Sequence, residues 1–127
     1  MVLVDTSVWV DHLRRGDARL AELLDADEVA CHPFVIGELA CGRIRNRDEI
    51  LSLLAALLSL PKAADDEVLA FIERRGLMAR GLGFIDVHLL AACALANVPL
   101  WTRDSRLAAV ADGLGLSPAP QRPAGPR

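Results

Sequence analysis

A chain of 127 residues, 53% of them hydrophobic, has the size of one domain with a sizeable core. Its net charge of -3 excludes a global attraction for nucleic acid, so any RNA or DNA contact has to come from a local basic patch or a bound cation. The three cysteines, Cys31, Cys41 and Cys93, include no Cys-x-x-Cys pair and read as buried free thiols of a reducing, cytoplasmic compartment.

In chain order, residues 2–4 read as a short apolar strand that stops on Asp5, and with the apolar run interrupted there no signal peptide is expected. Residues 7–14 read as a helix carrying Val8, Trp9, Val10 and Leu13. Asp17 can cap a second helix with Leu20, Leu23 and Leu24 on one face. Residues 29–31 read as a strand. Pro33 suits the first turn of a helix that ends near Gly42. The apolar helix from 47 to 58 follows, and the 51–60 stretch is too short to cross a membrane. Residues 60–63 are expected as a short edge strand. Asp65 or Asp66 caps the next helix, and Gly76, Gly81 and Gly83 loosen the segment after it. Asp86 begins a helix that Asn97 and Pro99 stop. Strand 99–102 leads to helix 104–111, and residues 114–116 are expected as a last short strand. From Ser117 the chain is Pro-rich without apolar periodicity, which predicts a domain over 1–116 and a disordered tail over 117–127. Strands alternating with helices imply right-handed crossovers and a parallel α/β sheet covered on both faces.

Two strands therefore end on carboxylates, Asp5 and Asp104, at the sheet edge where open α/β folds bind ligands. Two further acids sit among apolar neighbours: Glu38 in Phe34–Ala40 and Asp86 in Gly83–Leu90. Taken one by one, Glu38 could be a solvent-facing helix position and Asp5, Asp86 and Asp104 simple helix caps. Four such coincidences are less economical than one shared cause, a hard divalent cation. Converging carboxylates repel without one, and Mg²⁺ or Mn²⁺ favours oxygen ligands. Such a site points to phosphoryl chemistry. The hydroxyls of Thr6, Ser7 and Thr102 stand next to these acids and could orient a carboxylate or a metal-bound water.

The segments Val2–Trp9, Val35–Leu39, Ile85–Ala92 and Leu100–Asp104, in this order, resemble the PIN-domain nucleases, most closely the VapC toxins of bacterial toxin–antitoxin pairs. The likeness covers residues 1–116. It implies a PIN-like three-layer α/β/α sandwich with a short central parallel sheet. It also implies a Mg²⁺- or Mn²⁺-dependent endoribonuclease with an acidic quartet of Asp5, Glu38, Asp86 and Asp104. The partners it implies are RNA as substrate, a VapB-type antitoxin that neutralises the enzyme, and a second copy of the chain in a homodimer. DNA would be met only through the antitoxin. The chain departs from the family at Arg106, where many members place a further acid.

Arginines supply nearly all the positive charge, Lys62 being the sole lysine. Arg14, Arg15, Arg43, Arg45, Arg47, Arg74, Arg75, Arg80, Arg103 and Arg106 are the candidates for RNA phosphates, with Arg43 following the helix of Glu38 and Arg103 and Arg106 flanking Asp104 foremost. Three neighbouring enzyme classes fit less well. A receiver domain wants an acidic pair after the first strand and a late lysine. A haloacid-dehalogenase phosphatase wants Asp where Ser7 stands. A flap-type DNA nuclease needs a longer chain. A catalytically inactive PIN-like RNA-binding or interaction module keeps the same fold, and the intact quartet argues against it.

Overall fold

The computed structural model describes residues 1–118. Its centre is β1 (Val2–Val4), buried at every position. A strand with both faces covered reads as a continuous apolar run, as Val-Leu-Val does here. β1 pairs in parallel with β2 (Val29–Cys31) on one side and with β4 (Leu100–Trp101) on the other. β3 (Leu58–Ser59) adds to the outer edge of β2, giving the order β3-β2-β1-β4.

Among the described residues seven helices connect and flank these strands: α1 (Thr6–Arg15), α2 (Ala18–Asp25), α3 (Pro33–Ala40), α4 (Arg47–Ala56), α5 (Asp65–Arg75), α6 (Phe84–Ala96) and α7 (Ser105–Gly113). The chain moves outward from β1 to β2 to β3, then returns across the sheet to β4. With right-handed crossovers, that reversal sends the first helices to one face and the later ones to the other. The contacts agree: α1 packs on α3 and α3 on α4, whereas α5 packs on α6 and α6 reaches β4. The point where the order reverses lies between β1 and β4, and the crevice beyond the strand ends there is the expected ligand site.

Several elements differ from the sequence reading. The edge strand lies at 58–59 rather than 60–63. Helix α4 ends at Ala56, so Leu57 turns extended early and Leu58 and Ser59 meet Ala30 and Cys31. Leu60 N–H still donates to Cys31 O at 2.9 Å, and Pro61, without an N–H, ends the ladder. Residues 114–116 form no strand; Leu116 O accepts one hydrogen bond from Leu100 N–H at 2.8 Å. Strand 99–102 shrinks to Leu100–Trp101. Helix α5 is capped at Ala64, whose N–H is held by Glu67 at 3.0 Å, and neither Asp65 nor Asp66 is the cap. Helix α6 starts at Phe84 after Gly83, which puts Asp86 in the first turn rather than at the start. Asp17 caps α2 as expected, accepting from Leu20 N–H at 3.0 Å.

Cys31 and Cys93 are free, buried thiols, and burial pushes the Cys93 thiol up to about 12. Cys41 is free but exposed, because it closes α3 at the surface. Among the described residues no helix is long and apolar enough to cross a membrane. The Pro-rich tail expected over 117–127 lies outside the described residues from 119 onward. At its start Ser117 donates its hydroxyl to Asp112 at 3.2 Å.

Candidate active site

Asp5 occupies the cap position of α1 yet its carboxylate caps nothing. Only 7% of the residue is exposed, so the charge needs donors. It takes them from two hydroxyls: Thr102 Oγ1 donates to Oδ2 at 2.7 Å and Ser7 Oγ donates to the same oxygen at 2.9 Å. Each hydroxyl has one proton, and both protons go to Asp5. The hydroxyl oxygens in turn accept from the backbone. Arg103 N–H donates to Ser7 Oγ at 3.0 Å and Asp104 N–H to Thr102 Oγ1 at 3.1 Å. Asp5 N–H reaches Trp101 O at 2.9 Å, continuing the β1–β4 ladder. These bonds sew the ends of β1 and β4 together and fix Asp5 against Asp104.

The other three acids are held from separate elements. Asp104 Oδ1 caps α7, accepting from Arg106 N–H at 2.9 Å and Leu107 N–H at 3.1 Å. Glu38, exposed on α3, accepts from Thr6 Oγ1 at 2.8 Å through Oε1. Asp86 Oδ2 accepts from Gly83 N–H at 3.1 Å. Gly83 is the contact that the sequence reading missed; its signal was the spacing of three residues between a cap and a first-turn acid.

Burial raises the Asp86 carboxyl above its ordinary range, and the charges of Asp5 and Asp104 raise it further, against the lowering pull of Gly83 N–H. The three aspartates therefore share one electrostatic field, from the ends of β1 and β4 and the start of α6. Glu38 is tied by its hydrogen bond to Thr6, the residue next to Asp5.

Each of the four acids spends one oxygen on the protein scaffold. Among the described residues the second oxygen of each, Asp5 Oδ1, Glu38 Oε2, Asp86 Oδ1 and Asp104 Oδ2, accepts no hydrogen bond. Such half-satisfied carboxylates suit a hard cation, which takes oxygen ligands and offsets like charge. Among the described residues no three His, Cys, Asp or Glu side chains close tightly enough on one point to hold an ion alone.

The three arginines singled out from sequence differ in their commitments. Arg103 pairs with Asp11 through Nε at 2.7 Å and with Asp17 through Nη2 at 2.5 Å, so its guanidinium is tied to α1 and to the cap of α2. Arg106 lies along the backbone of Gly81, where an added Cβ would stand 3.0 Å from Arg106 Cδ. Arg43 lines a cavity of about 530 Å³ that also reaches Glu38.

A PIN domain family model matches residues 2–113. Ribonuclease VapC32 of Mycobacterium tuberculosis, in two strains, is 53% identical over 118 residues, covering 92% of this chain and 95% of that protein. Among solved structures, PAE2754 from Pyrobaculum aerophilum is similar with a TM-score of 0.62 at 21% identity, covering 86% of this chain and 83% of that one. The structure of FitAB bound to a DNA fragment gives a TM-score of 0.62 at 20% identity, covering 88% of this chain and 91% of that one. These two likenesses carry the fold alone.

Proposed function

The chain belongs to the PIN-domain family, and from that premise we propose that it is an endoribonuclease toxin of the VapC type, dependent on Mg²⁺ or Mn²⁺. The observation that carries the proposal is that Asp5, Glu38, Asp86 and Asp104 are each anchored by one oxygen and open at the other, with Asp5 and Asp104 following β1 and β4. The residues that would hold the cation are Asp5, Glu38, Asp86 and Asp104. When bound, the ion supplies Lewis acidity, which lowers the pKa of water and offsets charge on the reacting phosphodiester.

The chain's own part is orientation. Ser7 and Thr102 fix the rotamer of Asp5, and both hydroxyl oxygens are themselves fixed by backbone N–H groups of the 103–104 turn. Thr6 fixes Glu38 in the same way. Burial makes the Asp86 carboxyl easier to protonate than an ordinary aspartate, and Oδ1 is the oxygen free to carry the proton, since Oδ2 accepts from Gly83. A proton on Asp86 competes with the cation, so metal occupancy should rise with pH.

Arg43 and Arg106 are proposed to meet RNA phosphates. Arg103 is already spent on Asp11 and Asp17, and a phosphate there would have to displace a carboxylate. A VapB-type antitoxin as inhibitor, a second copy as dimer partner, and DNA contact only through the antitoxin belong to the same proposal.

The test is cleavage of labelled single-stranded RNA and DNA by metal-stripped protein. RNA cleavage on adding Mg²⁺ or Mn²⁺, and its loss in excess EDTA, is the expected result. Cleavage undiminished in EDTA contradicts the metal mechanism. Tight RNA binding with no cleavage under any divalent ion supports the inactive binding module instead.

A further inference from the structure

We infer that the cavity between α1 and the 41–46 loop is a subsite for the single-stranded RNA flanking the cleaved bond, with Arg14, Arg43 and Arg45 binding its phosphates. The inference rests on the ribonuclease reading of the neighbouring acids. It starts from the distribution of positive charge. Among the described residues, several arginines outside this cavity are engaged by their own chain. Arg15 pairs with Asp11, Arg103 with Asp11 and Asp17, and Arg47 donates to the carbonyls of Ala40 and Gly42. Arg75 lies over the Phe71 ring.

Arg14, Arg43 and Arg45 stand together at one cavity. All three are exposed and line the same cavity. Among the described residues none of the three forms an ion pair or a hydrogen bond through its guanidinium. Three uncompensated guanidiniums on one rim make a local cationic focus in a chain of net charge -3. Unpaired guanidiniums match phosphate well, since each presents a bidentate fork.

The cavity's construction supports a nucleotide rather than a lone anion. Its volume is about 530 Å³, and Val10, Leu13 and Ile44 give it an apolar wall between the arginines. A phosphate on the rim and a base or ribose against that wall satisfy both surfaces. Arg47 braces the 41–46 loop by bonding back to Gly42 O at 3.2 Å and Ala40 O at 2.5 Å, so two of the three cationic positions sit on a tied loop. Glu38 lines the same cavity and accepts from Thr6, the neighbour of Asp5. A strand lying in the cavity therefore leads to the acid cluster.

The experiment measures binding of a fluorescein-labelled single-stranded RNA of about ten nucleotides to the Asp5→Asn protein in Mg²⁺, with and without Arg14→Gln, Arg43→Gln and Arg45→Gln together. The combined change should weaken binding at least tenfold and lower the slope of log K against log salt by roughly 2, about 0.7 for each lost phosphate contact on a single strand. Lysine at all three positions should restore most of the slope. Unchanged affinity and slope overturn the subsite; if the parent still cleaves RNA, the ribonuclease reading survives that loss. Conversely, a parent that cleaves no RNA but binds it through these arginines sinks the ribonuclease reading and keeps the subsite. If the combined change leaves RNA binding intact and abolishes inhibition by the antitoxin, the cavity takes a protein segment and the RNA assignment is wrong.

Discussion

Thr102 and Asp5, from the ends of neighbouring parallel strands, meet through a 2.7 Å hydrogen bond that places a hydroxyl proton on a buried carboxylate. The same hydroxyl oxygen accepts from Asp104 N–H, so one side chain ties two acids of the quartet. Thr102→Val keeps the shape, removes both bonds and leaves Asp5 with one donor. Cleavage should fall by about 10- to 100-fold, the range for groups that orient metal ligands. Thr102→Ser should retain most activity. The discriminating measurement is the Mg²⁺ concentration for half-maximal rate, which should rise in Thr102→Val; a rate loss with unchanged metal dependence would show that the threonine acts otherwise.

Asp86 suffers in the absence of metal, because burial and the charges of Asp5 and Asp104 all oppose its ionisation. Its folded pKa lies above its unfolded one, so its contribution favours folding at acid pH and turns into a cost as pH rises through the folded value. Asp86→Asn can still accept from Gly83 N–H, and it carries no charge. In EDTA the variant should be more stable than the parent at pH 7, with the advantage fading toward acid pH. Denaturant midpoints for both proteins across that range decide it, and a variant less stable at neutral pH would show that the carboxylate is needed for folding.

His32 gives a second pH signature, of opposite sign. The ring is fully buried, with Nδ1 accepting from Phe34 N–H at 3.0 Å as the cap of α3. Burial, helped by the neighbouring His88 and Lys62, lowers its pKa from 6.5 to about 4. The folded state thus holds the neutral ring. Stability is full above pH 6.5 and drains as the pH falls toward 4, because only the unfolded chain takes up the proton in that window. The loss can reach about 3 kcal/mol at 1.36 kcal/mol per unit. His32→Asn keeps a capping acceptor and removes the titration. Its stability should vary less between pH 7 and 4; a parallel pH dependence in the two proteins would remove His32 as the cause.

Much of the candidate site could be proposed from sequence because its signals are local. An apolar strand that runs into Asp5, and a second that runs toward Asp104, need only a few neighbouring residues to be read. Asp86 was found with its helix start misplaced, since exposed Phe84 and Ile85 look apolar enough to belong before the helix. What stayed hidden depends on contacts between distant segments. The sequence does not show that Thr6 holds Glu38, that Arg103 is taken by Asp11 and Asp17, or that His32 and His88 are buried. Strand β3 was displaced because a two-residue strand has no periodicity of its own; its place comes from where α4 stops.

The four free carboxylate oxygens are proposed to hold a divalent cation. The most direct measurement is a calorimetric Mn²⁺ titration of metal-stripped parent and Asp5→Asn protein, with melting temperatures recorded before and after. Asp5→Asn still offers Thr102 and Ser7 an acceptor, so without metal it should melt at or slightly above the parent. Mn²⁺ should bind the parent and raise its melting temperature, and both effects should be lost or strongly weakened in the variant. Equal Mn²⁺ binding and equal stabilisation in the two proteins would contradict the account, and so would a metal-free variant that melts far below the parent.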